Sequence, residues 1–141
     1  VLVAAVITVC VQTPVNAGWE PVIGRDRMVW LATCETGNNT KHRTRSYVTA
    51  FGFYKRTFDL FADTPHQAAH KLTWNQQARV LERAFFYGWR KPDGSKQWPV
   101  GPYGHACWKK LWAKDATLRH LVCYHRKHQV RRWCRGETGE P

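Results

Sequence analysis

The chain has 141 residues, with 22 Lys and Arg against 10 Asp and Glu and a formal charge of +12. That length suffices for one domain around a single hydrophobic core and argues against a second. So positive a chain favours polyanionic partners, and the compartment decides whether these are nucleic acid or the anionic polymers and membrane surfaces outside a cell.

The first segment, VLVAAVITVCVQTPVNA, is an uncharged apolar run from Val1 to Val11 followed by a polar stretch ending in Val15-Asn16-Ala17. It reads as a signal peptide over residues 1–17, cleaved after Ala17. The apolar run is well short of the ~20 residues that span a bilayer, so no stable membrane anchor is expected. Export turns the charge towards cell-wall polymer and away from nucleic acid. It also removes Cys10 and leaves Cys34, Cys107, Cys123 and Cys134. In an exported protein these read as a disulfide framework, with three connectivities open.

Next, GWEPVIGRDRMVWLATCETG sets Met28, Leu31 and Ala32 at helical spacing and predicts a helix from near Arg25 to Glu35, closed by Gly37. Glu35 falls on its last turn, where the helix macrodipole disfavours an anion by roughly 0.3–1 kcal/mol. A carboxylate there has the look of a residue kept for something other than helix stability, although without a flanking motif a solvated helix-end glutamate is the plainer reading. Residues 38–53, rich in Thr, Ser, Tyr and Gly, predict a loop or short hairpin, and YKRTFDLFAD a short helix. TPHQ offers Thr64 as N-cap with Pro65 first and Gln67 third. TWNQ repeats the capping box with Thr73 and Gln76. The second box opens the clearest helix, with Trp74, Ala78, Leu81 and Phe85 on one face beside Gln77, Val80 and Ala84, and Gly88 as cap.

WRKPDGSKQWPVGPYG carries a Pro-Asp-Gly turn and predicts an irregular surface segment, placed to form a lip over a groove. From His105 to Trp133 the pattern is helical again and heavily basic. Trp30 and Trp74 are assigned to the core, and Trp89 and Trp98 are weighed evenly as platforms for sugar rings. Asp59 and Asp63 are expected in solvated or capping roles. CYHRKHQVRRWC holds Cys123, His125, His128 and Cys134, but the spacing matches no common zinc finger, and a disulfide is simpler. On one unbroken helix Cys123 and Cys134 would lie roughly 16 Å apart, beyond the ~4.4–6.8 Å of a bridge, so their pairing requires a helix break. No metal or cofactor is expected. Lys109, Lys110, Arg119, Arg126, Lys127, Arg131 and Arg132 read equally as a solvated face or as a surface for anionic wall polymer.

Three elements then combine: CETGNN with Trp30 upstream, an aromatic and glycine stretch ending GFYKRTF, and TWNQQARVLERAFFYGW continuing to QWPVGPYGHAC. Their order resembles the catalytic domain of resuscitation-promoting factors, small lysozyme-like muralytic proteins of actinobacteria, over Trp30 to about Cys107. The resemblance implies a lysozyme-like α+β fold, mainly helical, over residues 18–107. Residues 108–141 would form a basic helical extension packed on the same domain. It makes Glu35 the catalytic acid and Cys34 the bridge partner of Cys107. Phe53 and Thr57 fall on groove positions, Tyr47 joins them as a substrate candidate, and Gln76-Gln77 and Trp98-Pro99 match directly. Two departures stand out: Gly52 occupies a position where the family has Gln, and seven residues separate Pro99 from Cys107 where the family has a much shorter gap.

The implied activity is cleavage of the β-1,4 bond between N-acetylmuramic acid and N-acetylglucosamine in peptidoglycan, by a secreted monomer without a cofactor. A general acid must hold its proton near neutral pH, and both a helix C-terminus and an aromatic surface favour the neutral carboxyl. No convincing second carboxylate accompanies Glu35, so the scheme is a single-acid one in which the substrate's own 2-acetamido group or 6-hydroxyl supplies electrons at the anomeric carbon. The rival reading is a catalytically inactive lysozyme-like wall-binding or virion protein.

Overall fold

The computed structural model describes residues 19–102 and 104–126. The expected leader and Cys134, His128, Lys127, Arg131 and Arg132 lie outside the described residues. Helix α1, Arg25–Thr36, buries Met28, Leu31 and Ala32 and ends at Gly37, whose left-handed φ of 68° turns its N–H back onto Ala32 and Thr33 carbonyls. Strands β1, Tyr47–Val48, and β2, Phe53–Tyr54, form an antiparallel pair with Tyr47 opposite Tyr54 and Val48 opposite Phe53. Helix α2, Lys55–Phe61, continues directly from β2 and buries Phe58 and Phe61.

Thr64 is not the N-cap that TPHQ suggests. The 3₁₀ helix His66–Lys71 starts one residue later, and its first N–H, on His66, goes to Asp59 Oδ1 at 2.7 Å. A carboxylate on α2 competes better for that donor than a hydroxyl. Helix α3, Trp74–Glu82, opens with the predicted reciprocal box: Gln76 N donates to Thr73 Oγ1 at 3.2 Å and Thr73 N to Gln76 Oε1 at 2.7 Å. It runs into a π-helical turn, Arg83–Tyr87, that Gly88 ends at a φ of 70°.

Residues 89–97 are not irregular. Strand β3, Trp89–Arg90, pairs antiparallel with β4, Lys96–Gln97, around a turn in which Asp93 accepts from Ser95 N at 2.8 Å and from Ser95 Oγ at 2.6 Å. The basic helical stretch is divided in two, α4, Ala106–Lys114, and α5, Ala116–Arg126. Asp115 makes the break and caps α5, taking Leu118 N on Oδ1 at 2.8 Å.

The result is a mixed α+β fold, mainly helical, with two small antiparallel pairs. Helices α1 and α4 are packed together and covalently joined by a Cys34–Cys107 disulfide with Cα atoms 5.9 Å apart, the pairing the resemblance implied. Trp108 is fully buried against the rings of Phe85, Phe86 and Trp112, and burial of so large an apolar side chain contributes about 3 kcal/mol. The division between residues 107 and 108 therefore falls inside α4, and the start of the basic segment belongs to the core. Arg27 on α1 reinforces the junction through Asp115 at 2.8 Å. Trp30 and Trp74 sit at the edge of the core rather than within it. The Trp74 indole N–H reaches Asn38 Oδ1 at 2.8 Å and the Lys114 ammonium lies over Trp30 at 3.8 Å, contacts that need one wet side. Cys123 is buried and disulfide-bonded. Among the described residues no helix is long and apolar enough to cross a membrane.

Candidate active site

Glu35 stands on the last turn of α1 with its side chain 20% exposed, and two distant stretches of chain close on it. The start of α4 supplies the Cys107 N–H, which donates to Oε1 at 3.2 Å. It also supplies His105, the N-cap of α4, whose Nδ1 lies 3.1 Å from the same oxygen. The β1–β2 connection supplies Gly52. A Cβ there would stand 3.1 Å from Oε2, and the φ of 62° is left-handed, so both conditions call for glycine. Oε2 has no hydrogen-bond partner among the described residues.

The connection that carries Gly52 is pinned from behind. Thr36 Oγ1 donates to Ala50 O at 2.7 Å, and Ala50 N donates to Gln77 Oε1 at 2.9 Å. Gln77, fully buried, turns its amide nitrogen to the carbonyls of Thr40 at 2.8 Å and Leu72 at 3.2 Å. Its place on the apolar face of α3 is therefore that of a buried clamp. Thr49 has a φ of 71°, a conformation that costs a β-branched residue about 1–3 kcal/mol and persists only where neighbouring contacts enforce it. Here Thr49 N is held by His42 O at 3.0 Å and Gly52 N by Thr49 O at 3.2 Å.

Both ring nitrogens of His105 are engaged. Nε2 lies 3.2 Å from Phe51 O, and Trp108 N points at Nδ1 from 3.2 Å. The Phe85 ring stands edge-on to the imidazole at 5.4 Å. Burial pushes the His105 pKa below the ordinary 6.5, against the opposing pull of the Glu35 charge and the Phe51 carbonyl.

Glu35 opens into a cleft made of two adjoining cavities. One, of about 280 Å³, is lined by Glu35, Thr36, His42, Tyr47, Gly52 and His105. The second, of about 290 Å³, shares Tyr47, Gly52 and His105 and adds Phe53, Tyr54, Thr57, Phe85, Val100 and Gly101. Tyr47 lines both cavities, while Phe53 and Thr57 line the second, beyond Gly52 and His105 from Glu35. Phe53, only 6% exposed and edge-on to Phe58, forms part of its floor. The exposed rings of Tyr47 and Tyr54 meet edge to face at 6.1 Å on its wall.

Trp89 and Trp98 line neither cavity. The β3–β4 pairing carries residues 89–97 to another face, where Trp89 lies under the Arg83 guanidinium at 3.2 Å and borders depressions shared with Asp59, Asp63 and Lys91. Trp98 is 67% exposed beneath the Lys96 ammonium. The predicted lip reduces to Val100, Gly101 and Gly104, with Val100 N and Gly101 N both on Ala84 O at 2.8 and 3.0 Å. His105 and His42 were missed by sequence reasoning. The signal for His105 was present, because a bridge from Cys34 to Cys107 brings residue 105 within a turn of Glu35. Among the described residues Glu35 is the one carboxylate on the cleft, and none of their His, Cys, Asp and Glu side chains group in threes to hold a metal. Comparison with protein-family models, curated proteins and solved structures finds no match. The likeness to resuscitation-promoting factors rests on the shared sequence motifs alone.

Proposed function

We propose that the chain is an exported peptidoglycan-cleaving glycosidase that uses Glu35 as general acid and base on the β-1,4 bond between N-acetylmuramic acid and N-acetylglucosamine. The observation that carries this reading is the half-buried Glu35 carboxyl, anchored through Oε1 and open to a tyrosine-walled cleft through Oε2. Aromatic rings suit the apolar faces of sugars, and Thr57 offers a hydroxyl beside them. Glu35 gives its proton to the bridging oxygen, the C1–O bond breaks with its electron pair on that oxygen, and the substrate's acetamido oxygen or 6-hydroxyl supports the cationic C1. The hydroxyl that finally bonds to C1 returns its proton to Glu35. Glycan strands are the partner in this reading, the basic C-terminal segment adds attraction to anionic wall polymer, and the site of action is the cell wall.

Incubating the mature protein with purified peptidoglycan and weighing the soluble muropeptides tests this reading. Release by wild type and its loss in Glu35→Gln is the expected result, and products lighter by one water identify the anhydro-forming reaction. Glycan binding with no release by wild type would instead assign a wall-binding protein.

A further inference from the structure

Resting on the reading of the substrate as a glycan strand, we infer that the face carrying Trp89 is a second, non-catalytic sugar-binding site, built for an uncharged pyranose ring. Two depressions meet at this indole. One, of about 410 Å³, is bordered by Asp63, Thr64, Lys91 and Asp93, and the other, of about 350 Å³, by Trp19 and Tyr87. Each is larger than either cavity of the Glu35 cleft, and neither shares a lining residue with that cleft. The backbone of Trp89 is fixed on both sides. It pairs with Gln97 across the β3–β4 ladder, and a Cβ on the preceding Gly88 would meet the Gln97 carbonyl at 2.5 Å, so a bare glycine lets the two strands close. The ring itself is half-buried, with the Arg83 guanidinium over one side at 3.2 Å. Arg83 is in turn paired with Asp63 through Oδ2 at 3.2 Å, and Asp93 takes both Ser95 hydrogens on Oδ1. Asp63 and Asp93 therefore each offer a second oxygen to a sugar hydroxyl, and the Thr64 hydroxyl and Lys91 ammonium add donors beside them. Asp59 stands on the same border but has both oxygens committed to His66 and offers none.

Charge selects the occupant. The larger depression is bordered by three carboxylates, Asp59, Asp63 and Asp93, and by one ammonium, Lys91, on a chain whose formal charge is +12. A phosphate polymer is drawn to the rest of the molecule and repelled here. An uncharged, hydroxyl-rich ring gives donors to the carboxylates and lays its apolar face on the part of the indole that borders the depressions. A site apart from the cleft takes a different length of polymer from the one Glu35 acts on. It raises the effective concentration of the cleft on an insoluble wall without a contact at the reacting bond. Trp89 keeps in this way the platform role that its place in a turn-rich segment suggested, away from the reaction.

Two measurements decide the matter. The first needs no activity: the full chain carrying Glu35→Gln is titrated with the β-1,4-linked tetramer of N-acetylglucosamine and followed by nuclear magnetic resonance. The Trp89 indole N–H, which has no acceptor among the described residues, and the amides of Lys91 and Asp93 should move. Movement there with a silent Gly52 amide would uphold the second site and count against glycan binding at the cleft. Movement at Gly52 alone would overturn the second site and leave the glycosidase reading standing, and no movement anywhere would overturn it as well. A response of Lys91 and Asp93 to poly(glycerol phosphate) in place of the tetramer would overturn the uncharged occupant. The second measurement compares substrates. Trp89→Ala should weaken binding to whole walls about tenfold, the loss expected when a contact ring is truncated, and leave cleavage of short soluble fragments unchanged. Because Trp89 also packs against the core, Thr64→Arg supplies a second variant, placing bulk in the larger depression while leaving the indole in place, and it should give the same split. Equal losses on walls and fragments in Thr64→Arg, or no loss on walls in either variant, would overturn the proposal.

Discussion

Two histidine–carboxylate contacts occur among the described residues, and only that of His66 with Asp59 is a hydrogen bond. His66 Nδ1 stands 2.6 Å from Asp59 Oδ2, and His105 Nδ1 stands 3.1 Å from Glu35 Oε1. The closer pair is the more exposed, at 22% and 39% against 14% and 20%. Asp59 spends its second oxygen on the His66 backbone N–H, so both oxygens serve the start of a 3₁₀ helix. Glu35 keeps its second oxygen open to a cleft, while both nitrogens of its histidine are fixed by backbone groups. A short contact marks a local cap; a longer contact with one unspent oxygen marks a site that can act on something else.

The widest separation between the pairs is in rate. Glu35→Gln should lower muropeptide release about 10³-fold, within the range contributed by general acids, while Asp59→Asn should leave it within about twofold. Equal losses in the two variants would dissolve the distinction. Reduction of the Cys34–Cys107 bridge, or its double replacement by Ser, should also act on one pair only. The bridge spans 73 residues, which in the chain-entropy model stabilises the fold by about 4 kcal/mol. Chemical denaturation should report that loss, and the loosened Cys107 N–H should raise the barrier at Glu35 beyond what the stability change explains.

Gly52→Ala adds a Cβ against Oε2 at a left-handed position. It should raise the barrier by about 1.4 kcal/mol, tenfold in rate, and destabilise the fold by about 1 kcal/mol. A rate equal to wild type would show that the carboxyl has room to spare.

The smallest effects are those of pH on stability. Asp115 is held below the usual carboxylate range by its hydrogen bond to Arg27, with the Leu118 N–H assisting. The unfolded chain binds that proton first, so the stabilisation is present above about pH 3.9 and is lost as pH falls through the lower folded value. Asp115→Asn should cost about 1 kcal/mol at neutral pH and remove that acid loss. His105, also depressed, acts in a higher window. Its unfolded form takes up a proton as pH falls below 6.5 while the folded form resists, so stability declines from there until the folded value is passed. His105→Asn should abolish this slope in melting curves.

Sequence reading located α1, α3 and their ends because those signals are local: an apolar face at helical spacing, a reciprocal Thr-Gln cap, a glycine that can turn left-handed. A carboxylate at a helix C-terminus conflicts with the macrodipole and drew attention to Glu35, but the resemblance of its flanking motif made it the candidate acid. It misplaced Trp89 because a two-residue strand pairing within a turn-rich segment leaves almost no periodic trace. It passed over His105 because a histidine at a helix start has an ordinary capping use, and only the Cys34–Cys107 bridge brings it beside Glu35. Gln77 sits on an apolar face for a comparable reason, as its amide serves backbone groups of a loop that local spacing does not reveal.

The covalent link between α1 and α4 also has a meaning in time. Helices form in about a microsecond and hairpins in about 1–10 μs, whereas disulfides form over seconds to hours. Glu35, Gly52 and Gln77 are all in the chain before His105 and Cys107 are made, so a growing polypeptide can lay down the hairpin and its clamp before the segment that closes on Glu35 exists. The contact that closes the cleft joins segments 73 residues apart, the kind of distant pairing that slows folding. Completion of the cleft is thus a late event, locked by thiol oxidation long after the helices that carry it have formed.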